Sequence, residues 1–301
     1  FDKLKYDMSK MYDHILNKEH IWKEWIKPNS DIINIYFYYK DYKKIKSSWI
    51  LNHIIPKNMI EETSYYQVIP AYINLIRYAR YHDNNNEWIC FLTDSCCPII
   101  SPKKFRHLFF NYFHKSILNW KPPWWNINLQ KRANIACLNE QLRLANDPYF
   151  ILCKQQADII LNFKLRHKRV FHIVNNGGLA NESIFAIALK QYNELENTIQ
   201  SVTHIADWSR MMSATSPYLF HEENAQDNIF IEKNISDNPY AMFIRKVHSN
   251  YSDQVLSYYI YEYNKKNEYF LITFDLHTFY MLFWVITFII LTLPTITTLY
   301  T

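Results

Sequence analysis

The sequence predicts an α/β fold, because short apolar runs of strand length alternate with stretches of helical period. The runs are IINIYFYY (32–39), WICFLT (88–93), VFHIV (170–174) and SVTHIADW (201–208). Between them, Val68, Ile69, Tyr72, Ile73, Ile76 and Ala79 fall on one face of a helix predicted over 65–81. With 49% hydrophobic residues in 301, the chain can also bury a sizeable core. Such alternation implies a mostly parallel sheet flanked by helices.

In chain order, a first helix is predicted over 19–27, and the strand 32–39 begins after Ser30. The helix 65–81 then leads to the strand 88–93, which runs into Asp94-Ser95-Cys96-Cys97-Pro98. A helix follows over 101–113, and the segment 122–144, opening on Pro122-Pro123-Trp124-Trp125, has no regular period and reads as a loop excursion. The strand 170–174 ends at Asn175-Asn176-Gly177-Gly178, and the strand 201–208 ends at Asp207-Trp208-Ser209. Ligands of open α/β sheets collect at the carboxyl ends of strands. Three polar exits in one sheet, at Asp94-Ser95, Asn175 to Gly178 and Asp207-Trp208, therefore outline a candidate site.

Composition removes several function classes. Glycine occurs only twice, as the adjacent pair Gly177-Gly178, so neither a dinucleotide fingerprint nor a P-loop can be written. The net charge of +5 is spread over short clusters such as KDYKKIK and KLRHKR, which read as solvated surface. No continuous basic face points to nucleic acid, whereas a modest excess suits an anionic small molecule. The five cysteines show neither a C-x-x-C pair nor zinc spacing and are expected to be reduced thiols, mostly buried. No Asp-x-Asp occurs, so no metal site is predicted.

The ends carry their own expectations. The chain opens at Phe1 rather than Met, which suggests a fragment or processed product. From Leu276 to Thr301 there is no Lys, Arg, Asp or Glu, and the residues from Thr278 onward form an apolar stretch long enough to span a bilayer. The expected organisation is a domain over 1–255, a connecting segment over 256–277 and a transmembrane tail over 278–301, making the protein membrane-associated. Lys265 and Lys266 before the tail favour a cytosolic domain.

Seven segments, each weak alone, occur in an order that resembles a known family. WICFLTDSCCPIISPKKF is similar to the strand, Ser/Asp-rich turn and Pro-Ile of the core-2/I-branching β-1,6-N-acetylglucosaminyltransferases and the related peptide O-xylosyltransferases. IWKEWI (21–26), INIYFYYKD, NDPYFILCKQQADII (146–160), ANESIFAIALKQY (180–192), HIADWS and NPYAMFIRKV (238–247) resemble further motifs of that family. The resemblance covers roughly 10–250, with departures: Asn181 replaces an Asp, Asp147-Pro148-Tyr149 replaces a Gln-Trp, and Lys154 an Arg. The family's first nucleotide-binding strand is not recognisable in FDKLKYDMSK.

The resemblance implies an A-type glycosyltransferase fold, Rossmann-like, that moves a GlcNAc- or xylose-type sugar with inversion from a UDP-sugar to a hydroxyl of a glycan or glycoprotein. It also implies a lumenal domain, opposite to the charge pattern, so the side of the membrane stays open. Inverting transfer needs a base for the acceptor hydroxyl and a counter-charge for the leaving diphosphate. The motif order assigns Glu182 as base and Arg245 and Lys246 as cations that stand in for a metal. Asp94 and Ser95 would bind donor hydroxyls, and Trp208 and Asp207 the acceptor sugar. The competing expectation is a sugar- or nucleotide-binding protein of the same fold without turnover.

Overall fold

The computed structural model describes residues 16–213 and 216–263. Over these residues the chain is a mixed α/β structure of short strands and helices. In order the elements are α1 (Glu19–Ile26), α2 (Ser48–Leu51), α3 (Ile69–His82), β1 (Trp88–Cys90), β2 (Cys97–Pro98), α4 (Pro102–Tyr112), β3 (Trp120–Lys121) and β4 (Ala145–Asn146). They continue with β5 (Ile151–Cys153), α5 (Lys154–Arg166), α6 (Lys168–Asn175), α7 (Ile184–Gln191), β6 (His204–Ala206), α8 (Ala225–Asp237), β7 (Phe243–Arg245) and α9 (Asp253–Ser257).

The strands form three small ladders. β1 pairs antiparallel with β5, β3 antiparallel with β4, and β7 lies between β2 (antiparallel) and β6 (parallel). The two-residue period of a strand divides the β1–β5 ladder between two cores. Ile89 and Leu152 belong to a cluster with α3, α5 and α7, while Trp88, Cys90 and Ile151 belong to one with α1, α4 and α8. Helices therefore cover both faces of the strands, the arrangement expected of an α/β domain.

Helix α1 shows how sequence becomes packing. Trp22 and Trp25 sit three residues apart, one face of the helix, and both are 2% exposed. Each indole N–H finds a carbonyl, Trp22 that of Cys96 at 3.0 Å and Trp25 that of Ile100 at 2.7 Å, so burial leaves no donor unpaired. Both rings also lie against Phe243 of β7. Truncating either to Ala is expected to cost about 3–5 kcal/mol. The helix thereby fixes the stretch from Cys96 to Ile100 in place.

Several expectations need correction. The run 170–174 is helix α6, not a strand: Phe171 and Val174 are buried while His172 is exposed, a three-residue spacing that a strand cannot produce. Asn175 to Gly178 consequently follow a helix. The run 32–39 makes a single bridge among the described residues, Phe37 to Ile54, and fully buries only Tyr39; Ile33, Tyr36 and Phe37 pack half-buried against the cores without a partner strand. Among the described ladders only β6–β7 is parallel, so the sheet is not mostly parallel. The loop 122–144 is irregular as expected, yet it delivers Trp125, Ala133, Ile135, Leu138 and Leu142 to the core.

Of the predicted connecting segment, Leu256, Tyr259 and Ile260 are buried against α8 and β7 neighbours in the second core. The predicted transmembrane tail, 278–301, lies outside the described residues, and no described helix is long and apolar enough to cross a membrane.

Candidate functional site

The short strands end where their residues meet. Pairing of Cys97 with Ile244 places Ser95 beside Val247, whose N–H donates to the Ser95 carbonyl at 2.8 Å. Asn17 ties the same corner together: its N–H donates to the Asp94 carbonyl at 2.9 Å and its amide to the Val247 carbonyl at 2.8 Å. The parallel partner of Arg245 is Ala206, which sets Asp207 next to Lys246. Asp94, Ser95, Arg245, Lys246 and the backbone of Asp207 thus converge on one edge.

Arg245 is the centre of this corner. Its guanidinium lies 4.0 Å from the centroid of the Tyr149 ring, and it is only 7% exposed. Its Nε is buried without a partner, and no carboxylate among the described residues pairs with it. The groups around it register the charge. Burial pushes the Tyr149 phenol up to about 12, against the pull of Arg245. Burial, then Arg245, hold His204 well below the usual imidazole range, so it is neutral, with Nε2 unpartnered between the Tyr149 and Phe243 rings. Burial, with Arg245 next, also lowers Lys246, whose ammonium donates to Ser216 Oγ at 2.9 Å. The Asp94 side chain reaches solvent but is hemmed in, and that crowding raises its carboxyl despite the Ser95 N–H, Lys246 and Arg245. The buried Cys96 thiol is raised by burial too, which makes it a poor nucleophile.

Glu182 stands in a neighbouring group. It closes a 3-10 turn, Ala180–Glu182, before α7, and Arg132 Nη1 donates to its Oε2 at 3.1 Å. Burial raises its carboxyl, Arg132 offsets part of the effect and Asp147 adds to it. Asp147 is itself raised by burial, with Asn119 and Lys121 opposing. The two groups share one segment: Asp147 faces Glu182, while Tyr149 lies under Arg245.

The remaining predicted residues separate by role. Asp207 is 1% exposed, and its carboxylate accepts from the Ser209 and Arg210 N–H groups, the Ser209 hydroxyl and Arg210 Nε. It shapes a turn rather than facing the corner. Trp208, next in sequence, is 48% exposed. Asp94 and Ser95 do not cap α4; Ser101 does, accepting from the Lys104 N–H at 3.0 Å. Tyr149, His204, Ser216 and Arg132 were not singled out from the sequence. A tyrosine beside Asp147-Pro148 was the one local hint, and the other three are brought in only by strand register and loop docking.

Among the described residues no group of three or more His, Cys, Asp or Glu is arranged to hold a metal. A shallow depression of about 550 Å³ lined by Asn162, Arg166, His167 and Tyr192, at the end of α5, contains none of these site residues. No protein-family model matches the chain, and no curated protein matches it.

Proposed function

We propose that the protein is an inverting, metal-independent glycosyltransferase acting on a nucleotide-sugar donor, with an A-type fold. The observation that carries this reading is Arg245, a buried cation with no carboxylate partner among the described residues, stacked on Tyr149 beside Lys246 at a strand-end corner. A buried unpaired charge is costly, and its retention marks an anion that binds there. Lys246 doubles the positive charge, and a dianionic diphosphate suits the pair. As the sugar leaves the diphosphate, the two cations would offset the developing charge, an effect of about 3 kcal/mol per donor in water-excluded sites. Asp94 and Ser95 would bind donor hydroxyls, the exposed Trp208 face the acceptor sugar, and Glu182 accept the proton of the attacking hydroxyl. Burial has already moved Glu182 toward the range a general base needs.

A thermal-shift screen tests the donor. A nucleotide sugar at 100 times its Kd should stabilise the fold by about 2.7 kcal/mol, with chelator present or absent. Strict dependence on added manganese would overturn metal independence. Glu182→Gln should lower transfer by about two to four orders of magnitude while donor binding survives; a near-normal rate removes Glu182 from the chemistry.

A second reading, binding without turnover, has one observation in its favour: Oε2 of the proposed base is already occupied by Arg132. Donor hydrolysis by the purified protein separates the two, since a pure binding module shows none.

A further inference from the structure

The two glycines of the chain lie at one contact, and it is Gly177 that the contact requires, since a Cβ on Gly178 would meet only the Tyr66 side chain, at 3.5 Å. A Cβ on Gly177 would lie 2.4 Å from the Asn134 backbone N and 2.5 Å from the Ala133 Cα, closer than any side chain tolerates. The opposing loop bends to meet it: Ala133 and Asn134 are both left-handed, with φ of 49° and 48°, and the Ala133 N–H donates to the Gly178 carbonyl at 2.8 Å. A non-glycine residue in that region costs energy that the surrounding structure must repay, alanine more than asparagine. What the docking places is Arg132. Its backbone bridges Gly178, its guanidinium lies 5.3 Å from the centre of the Trp125 ring, and Nη1 reaches Glu182.

We infer that Arg132 is a positioning residue for Glu182, aligning its carboxylate and governing its ionisation through a contact that only a glycine at 177 permits. The inference rests on the reading of Glu182 as the base. The contact is single rather than forked: Arg132 holds Oε2, and Oε1 has no hydrogen-bond partner among the described residues, which leaves an oxygen for an acceptor hydroxyl. The charged groups facing Glu182 are Arg132 from the 122–144 loop and Asp147 after β4, the latter opposed by Lys121 of β3. Without the guanidinium, burial and Asp147 would act together to raise the carboxyl further. A protonated Glu182 cannot accept a proton, so Arg132 determines the pH at which the base becomes competent.

The test reads Glu182 directly. Its side-chain carboxyl is followed by carbon-13 NMR through a pH titration, the signal being assigned by its loss in Glu182→Gln. In Arg132→Met, which keeps the aliphatic stem on Trp125, the titration midpoint should rise, and Arg132→Lys should restore it in part. An unmoved midpoint in Arg132→Met overturns the inference. Should that variant not fold, Trp125→Leu, which removes the shelf but keeps the charge, should raise the midpoint by less, and no movement overturns the inference equally. In transfer assays the acid limb of the pH–rate profile should move up with the midpoint, the rate below the limb falling about tenfold per pH unit moved. If the NMR midpoint moves but no nucleotide sugar supports transfer, the link between Arg132 and Glu182 stands and the glycosyltransferase reading falls. If transfer occurs while midpoint and limb both stay, the inference about Arg132 falls alone.

Discussion

Two arginines of this protein have nearly the same surroundings and opposite accounts. Arg210 lies 3.9 Å from the centre of the Tyr218 ring, Arg245 4.0 Å from that of Tyr149. Arg210 pairs with two carboxylates, Asp207 at 2.6 Å and Asp227 at 2.8 Å, whose side chains are 2% and 0% exposed. Arg245 has none among the described residues. The first guanidinium is neutralised and works for the fold; it pins the 207–210 turn to the start of α8. The second keeps its charge in reserve. The stacking is shared, so it is the carboxylates that distinguish the two arginines.

The largest effect should come from breaking the structural arginine. Arg210→Met leaves two buried carboxylates without a cation, which is expected to cost about 3–5 kcal/mol in denaturant unfolding. Arg245→Met removes a charge that no carboxylate among the described residues pairs with, so unfolding free energy should hold or rise. Its loss should appear elsewhere, as a ten- to hundredfold weaker nucleotide-sugar affinity, about 1.5–3 kcal/mol for a hydrogen bond to a charged group. Equal stability losses in the two variants would erase the distinction.

Acid sharpens the comparison. Burial works against ionisation of Asp207, but hydrogen bonds from Ser209 and Arg210 more than offset it and hold its carboxyl below the usual range. Its folded pKa lies under its unfolded one, so its contribution is full above about pH 4 and is lost as pH falls through the folded value. Asp227, raised chiefly by burial, has the opposite sign: the folded state gains as it takes up a proton. In Arg210→Met both carboxyls should sit high and bind protons in the fold. The deficit of the variant against the parent should therefore shrink between pH 8 and pH 5. A deficit independent of pH would mean that the arginine acts through packing on Tyr218 alone.

The same division between spent and spare groups explains what could be read from the sequence. Helices α1, α3 and α4 were legible because their apolar residues keep a helical period, as Trp22 and Trp25 do. The run 170–174 was not, because Val, Phe, Ile and Val satisfy either period until a partner strand is sought and none exists. Asp94-Ser95 were found because a predicted strand stops there, a local property, and Arg245-Lys246 only through the order of family-like motifs. Tyr149, His204 and Arg132 join the site through tertiary register and leave no local mark. Asp207 shows the converse, a strand-end acid whose carboxylate is consumed by its own turn. The glycine pair was visible as an oddity of composition, but the need for Gly177 shows only in the loop that packs on it.

The smallest effect separates two serines six residues apart. Ser101 has non-helical backbone, and its hydroxyl satisfies the Lys104 N–H, one of the donors a helix start leaves open. Ser101→Ala should therefore lower stability by about 1 kcal/mol with donor binding untouched. Ser95 caps no helix: its hydroxyl reaches the Thr93 hydroxyl at 3.3 Å, a long contact for two oxygens, and the adjacent Asp94 carboxylate, while its carbonyl serves Val247 and is kept by any side chain. Ser95→Ala should then leave unfolding within about 0.5 kcal/mol of the parent, as substitutions away from such features do. If the corner binds the donor, that same change should weaken nucleotide-sugar binding, with a net loss of about 1 kcal/mol for a neutral hydrogen bond. Denaturant unfolding and donor titration on the two variants read this crossed pattern directly. Should Ser95→Ala cost stability and spare the donor, Ser95 belongs with Arg210 among the groups spent on the fold, and the corner loses one of its binding residues.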